Sequence, residues 1–149
     1  MRQRTTVTHE FVDYVPENLA EGTVYVCVQF ATVVHTCCCG CGNEVVTPLS
    51  PADWTLSFDG ESISLNPSIG NWSYPCQSHY WIRNNKVIWT RRWSRGEIEA
   101  GRARDHDARA AHLARDTVAG KTQDVSGPTV SDFLGPVRGI WARIRRWLA

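Results

Sequence analysis

The stretch His35-Thr36-Cys37-Cys38-Cys39-Gly40-Cys41-Gly42 places four of the chain's six cysteines within eight positions. Neighbouring cysteines rarely have the Cα spacing and side-chain direction that a disulfide needs. They can converge on one metal ion instead, provided the glycines let the backbone turn tightly between them. A second cluster, Cys76-Gln77-Ser78-His79, is the natural partner. Zinc takes four tetrahedral ligands, and seven candidates exist: His35, Cys37, Cys38, Cys39, Cys41, Cys76 and His79. Cys39 and Cys41 can pair with Cys76 and His79, Cys38 and Cys41 form a C-x2-C alternative, and Cys37 as fourth ligand would leave His79 free. Cys76-x2-His79 followed by Tyr80-Trp81 is also similar to the second box of a Rieske iron–sulfur centre. The order His35-x-Cys37 reverses that centre's first box.

At 149 residues there is room for one domain plus appendages. The formal charge of +1 conceals an acidic front and a basic back: from Thr5 to Ile82 there is no Lys or Arg. Met1-Arg2-Gln3-Arg4 is basic, but no apolar signal segment follows it, and no run approaches the roughly 20 apolar residues needed to span a bilayer. A cytoplasmic setting is expected, where clustered cysteines are metal ligands more often than disulfides.

The middle of the chain reads as β structure. Thr23 to Phe30 is β-branched and aromatic, with Cys27 as a small core residue, and Ala31 to Val34 continues towards the cluster. Glu44 to Thr47 is a short strand ended by Pro48, and Trp54 to Phe58 alternates apolar and polar residues. Asp59-Gly60 turns that strand back into Ser62 to Leu65. Asn66 to Pro75 reads as a loop, and Tyr80–Arg83 and Lys86–Trp89 form a hairpin about Asn84-Asn85. Residues 9–22 are mixed, with a turn near Pro16. The fold class expected is mostly β (small α+β), a zinc-stabilised antiparallel β domain over residues 5–95. A polar helix over 96–118, a linker over 119–133 and a basic amphipathic helix over 134–149 follow it. A core of some 90 residues is limited, and a structural zinc contributes about 10–16 kcal/mol of apparent binding energy.

The loop before Cys76 carries the other candidate chemistry. A serine needs a base to become nucleophilic. Ser64, Ser68 and Ser78 are candidates for the hydroxyl, and His79, if it is not a ligand, and His35 for the base. The plainer reading is that these side chains satisfy a turn. Nothing resembles H-E-x-x-H, and a closed cysteine sphere argues against a zinc-bound nucleophilic water.

Residues 11–95 resemble a bacterial domain family marked by His35-x-Cys37-x-Cys39-Gly40-Cys41-Gly42, Ser64-Leu65-x-Pro67-Ser68-Ile69, Cys76-x-Ser78-His79-Tyr80-Trp81-Ile82 and Val87-Ile88-Trp89. Its members occur in operons beside ubiquitin-like, E1-like and E2-like proteins. The resemblance implies that Cys37, Cys39, Cys41 and Cys76 hold zinc. It leaves Ser68 and His79 as nucleophile and base of a serine-type peptidase that matures or removes the ubiquitin-like modifier. The implied partners are that modifier and its E1/E2-like enzymes. The alternative is a non-catalytic zinc-binding adaptor for the same proteins.

In the terminal segment, Val137, Ile140, Trp141, Ile144 and Trp147 recur at helical spacing among arginines. Such a helix can dock on the acidic front, lie on a membrane surface or fill a partner's groove. Nucleic acid is not expected, because four arginines form a small footprint.

Overall fold

The computed structural model describes residues 2–123, with side chains through Thr117. The linker expected over 119–133 is helical as far as residue 123; its remainder and the terminal amphipathic helix, with the membrane and groove readings attached to it, lie outside the described residues. The chain divides into two compact units, Met1–Leu113 and Ala114–Ala149.

The first unit is mostly β, in two four-stranded sheets. One holds β1 (Thr8–Phe11), β2 (Thr23–Cys27), β3 (Thr32–Thr36) and β4 (Glu44–Pro48) in chain order. The other holds β5 (Thr55–Phe58), β6 (Ile63–Gly70), β7 (His79–Arg83) and β8 (Lys86–Trp89), also in order. All pairings are antiparallel except β1 with β2, which is parallel. β1 carries no strong strand pattern of its own, and its parallel partner fixes it.

Burial follows the residue pattern. β2, the β-branched run, is buried at all five positions, whereas β4 alternates exposed and buried, the period of a half-covered strand. Cys27 is fully buried, as expected for a core thiol. Val24, Val26, Val33 and Val45 from the first sheet join Ile63, Leu65, Tyr80 and Ile82 from the second in one apolar cluster. Cys37, Cys38 and Cys39 belong to the same cluster. A hydrogen bond of 2.9 Å from one sheet to the other, His35 Nε2 to Tyr80 Oη, closes it.

The two expected hairpins form. Asn84 and Asn85 take φ of 48° and 59°, as a tight two-residue turn requires. The Asp59 carboxylate accepts the N–H groups of Glu61 and Ser62 at 2.9 and 2.7 Å, which holds the other turn. The expected loop from Asn66 is a strand as far as Gly70. Between Leu65 and Ile69, four steps along β6 face two along β7, from Ile82 to Tyr80. This bulge accommodates Asn66-Pro67, whose peptide bond is cis. Proline and asparagine read as breakers in the sequence, but a bulge absorbs them without ending the strand.

After β8, α1 spans Arg95–Gln123. A capping box starts it: Glu97 Oε2 accepts the Ser94 N–H at 2.8 Å, and Ser94 Oγ accepts the Glu97 N–H at 3.4 Å. One i,i+4 ion pair, Arg95–Glu99 at 3.5 Å, lies on its exposed face. In the second unit the described residues, 114–123, are helical.

Candidate functional site

Two side-chain clusters meet at the segment 76–79. The first is made of sulfur. Cys37, Cys39, Cys41 and Cys76 bring their Sγ atoms within 4.8 Å of one another. Cys37 N–H donates to the Asn43 carbonyl at 2.8 Å and Gly40 N–H to the Cys37 carbonyl at 3.0 Å, so the chain reverses over five residues. Gly40, with φ of 79°, takes the left-handed turn at the centre of this knuckle. Four thiols at this spacing could hold one metal ion, because tetrahedral bonds of about 2.3 Å place sulfurs about 3.8 Å apart. Cys41 and Cys76 already stand at 3.8 Å, and Cys37 and Cys39 at 3.3 Å.

The other candidate ligands are directed elsewhere. Cys38 is buried away from the four-sulfur group, and burial pushes its thiol up to about 11. His35 is buried against Tyr80, and burial carries its imidazole down to about 4. Its Nδ1 is buried with no hydrogen-bond partner among the described residues. Burial opposes ionisation of Cys41 as well, but the Asn43 backbone N–H and the neighbouring thiols outweigh it and bring Cys41 down to about 7.

His79 is the decisive departure from a two-pair ligand set. Its imidazole faces away from the sulfurs, with Nε2 2.9 Å from Ser68 Oγ. Nδ1 lies 3.2 Å from the Arg91 carbonyl oxygen and is also hydrogen-bonded to Thr90 Oγ1. With no imidazole among the four-sulfur group, neither the Cys76–His79 ligand pair nor the Rieske arrangement is formed among the described residues.

Strand geometry explains the Ser68–His79 contact. Gly70 on β6 is the register partner of His79 on β7. Side chains two apart on a strand share a face, and diagonal cross-strand neighbours are within reach of one another. Ile69 turns into the core at 2% exposure, which leaves Ser68 on the opposite face beside His79. The bulge ahead of Ile69 sets this register.

The other two serines are engaged differently. Ser64 Oγ accepts the Asn84 N–H at 3.0 Å. Ser78 Oγ is buried between Cys37 Sγ at 3.1 Å and Asn71 Nδ2 at 2.8 Å. Ser78 and Asn71 therefore link the sulfur cluster to the chain that carries His79.

Ser68 and His79 open onto a cavity of about 300 Å³, with Trp54, Trp72, Trp93 and Arg104 among its walls. The first turns of α1 stand at its rim. Arg102 donates to Ser73 Oγ at 3.3 Å, and Arg109 meets Asp53 at 2.6 Å. The polar composition of this part of α1 suggests only a solvated helix, so its place beside the cavity is not foreseen from sequence. The S-x-x-E pattern of Ser94 to Glu97 is a local signal that could have marked its start.

No curated protein and no solved structure matches the chain. A family model does match, over residues 11–90, and its description is bacterial ubiquitination-like system serine protease, BubE. The matched segment holds all four clustered cysteines together with Ser68 and His79. The chain belongs to the BubE family of serine proteases of bacterial ubiquitination-like systems.

Proposed function

We propose that this protein is the peptidase that matures or removes the ubiquitin-like modifier of its system, with Ser68 as nucleophile and His79 as general base. The observation that carries this reading is the 2.9 Å contact between Ser68 Oγ and His79 Nε2 at the wall of an open cavity. Donation of Nδ1–H to the Arg91 carbonyl leaves the Nε2 lone pair facing the hydroxyl, the tautomer a general base needs.

Ser68 Oγ attacks the scissile carbonyl carbon while its proton passes to His79 Nε2. The tetrahedral intermediate then expels the leaving amine, which takes that proton. Water, giving a proton to the same imidazole, attacks the acyl carbon, and that proton returns to Ser68 Oγ as the ester bond breaks. Thr90 and the Arg91 carbonyl orient the ring in the place that a carboxylate takes in a Ser-His-Asp triad.

The four thiols suit zinc, which takes all-cysteine sets of four as closed structural sites. Cys37, Cys39, Cys41 and Cys76 would hold the ion, which would supply folding energy. Cys76 would then anchor the chain three residues before His79.

The reading is tested by incubating the full, metal-loaded protein with a modifier precursor carrying a C-terminal extension. Cleavage by the parent, lost in both Ser68→Ala and His79→Ala with metal content unchanged, is the expected result. Equal cleavage by Ser68→Ala would refute the assignment.

A further inference from the structure

His79 is walled by two indoles, and each indole rests on a glycine. The imidazole centroid lies 4.9 Å from that of Trp72 and 5.0 Å from that of Trp93, the latter edge-on at 74°. The two indoles stack on each other at 5.2 Å and 20°. A Cβ at Gly70 would come within 2.4 Å of Trp72 Nε1. A Cβ at Gly101, buried on α1, would come within 2.9 Å of Trp93 Cζ3. Both contacts are too close for any side chain larger than hydrogen, so strand backbone backs one indole and helix backbone backs the other.

This arrangement bears on His79 because it packs the face of a ring whose hydrogen bonds lie only along its edge. Among the described residues no carboxylate hydrogen-bonds His79, and its Nδ1 partners are a hydroxyl and a backbone carbonyl. Rotation about the terminal bond of a histidine is broad and soft, and hydrogen bonds at Nδ1 restrain it at one edge of the ring only, which leaves Nε2 some residual freedom. Rings packed beside the imidazole remove that freedom. The helix behind Trp93 is itself fixed, by the Ser94–Glu97 cap at one end and by Arg102–Ser73 and Arg109–Asp53 farther along.

We infer that Trp93 and Gly101 are positioning residues for His79: α1 presses Trp93 towards the imidazole and keeps Nε2 aimed at Ser68 Oγ. The inference rests on the Ser68–His79 reading of the site. It extends the working site past the family-matched segment, which ends at residue 90. It also gives α1 a role that its polar sequence does not suggest.

The test uses the full, metal-loaded protein and a small alkyl fluorophosphonate, which needs no modifier-binding surface. Ser68 Oγ displaces fluoride from phosphorus while its proton passes to His79 Nε2, and the adduct is followed by intact mass. Trp93→Leu and Gly101→Ala should each slow labelling by about 10-fold or more, since displacement of a reacting group by about 1 Å can cost about 100-fold. Trp93→Phe should stay within about 3-fold of the parent, because a ring still fills the wall.

Gly101→Ala is the sharper variant. Alanine is the better helix former, so helix content by circular dichroism should hold or rise while the rate falls. The His79 ring-proton resonances, displaced by two adjacent indoles, should move in both slow variants. Parent-like labelling in Trp93→Leu and Gly101→Ala would overturn the positioning role and leave Ser68 and His79 standing. If Trp93→Leu does not fold, Gly101→Ala decides alone. No labelling of Ser68 in the parent would overturn both readings.

Discussion

Cys76 and His79 stand three residues apart on one segment and belong to two different sites. The Cys76 thiol faces three other sulfurs, while the His79 imidazole faces Ser68. Gln77 between them takes φ of 43°, and Ser78 packs its hydroxyl against Cys37. The four-sulfur cluster and the Ser68–His79 contact are thus separate in chemistry but joined in the backbone.

Loss of the metal should therefore unfold the domain and not merely silence it. A structural zinc supplies about 10–16 kcal/mol of apparent binding energy, as large as the usual net stability of about 5–15 kcal/mol. Cys76→Ser, or a strong chelator, should abolish the cooperative thermal transition. An unchanged melting curve at zero metal content would contradict this.

Cys38 provides the matching control. It lies within the cysteine run, but its sulfur is outside the four-sulfur group. Cys38→Ala should keep one metal per chain and lose about 1 kcal/mol of stability through lost packing. Metal analysis and denaturant titration of the purified variant check both halves of that statement.

Thr90→Val tests what orients the imidazole. The substitution removes the hydroxyl beside Nδ1 and leaves the Arg91 carbonyl as sole acceptor. The fold should be kept, with kcat reduced by about 10-fold and KM little changed, because the hydroxyl touches the imidazole and does not line the cavity. Steady-state kinetics on the modifier precursor give the split.

The cap of α1 makes a pH prediction. The Arg91 guanidinium, with the Ser94 N–H and hydroxyl, holds the Glu97 carboxyl down from its ordinary 4.5 to about 2. The folded value is below the unfolded one, so the cap's contribution is complete above about pH 4.5. It is lost as pH falls through about 2. Glu97→Gln should remove that acid-dependent part of the helix loss, followed by circular dichroism. An identical acid profile in parent and variant would argue against the cap.

Much of this architecture is legible in local pattern. The strand from Thr23, the Asp59-Gly60 turn and the Asn84-Asn85 hairpin follow from β-branched runs and residues that tolerate positive φ, but that strand ends at Cys27 and not at Phe30, because Val28 to Phe30 form an exposed turn. β1 was not legible, because Thr8 to Phe11 is a strand only through its parallel pairing with Thr23 to Val26. The extent of β6 was hidden by Asn66-Pro67, which a bulge accommodates. Whether His79 points to sulfur or to Ser68 could not be decided by spacing, since it depends on the register of Gly70 with His79. Trp93 was readable as an aromatic residue, but its neighbours Trp72, His79 and Gly101 come together only in three dimensions.

The most direct measurement is peptide mapping of the parent protein after fluorophosphonate labelling, with His79→Ala run beside it at equal metal content. A single adduct on Ser68 in the parent and none in the variant is the expected result. An adduct on Ser64 or Ser78, or undiminished labelling of Ser68 without His79, would contradict it.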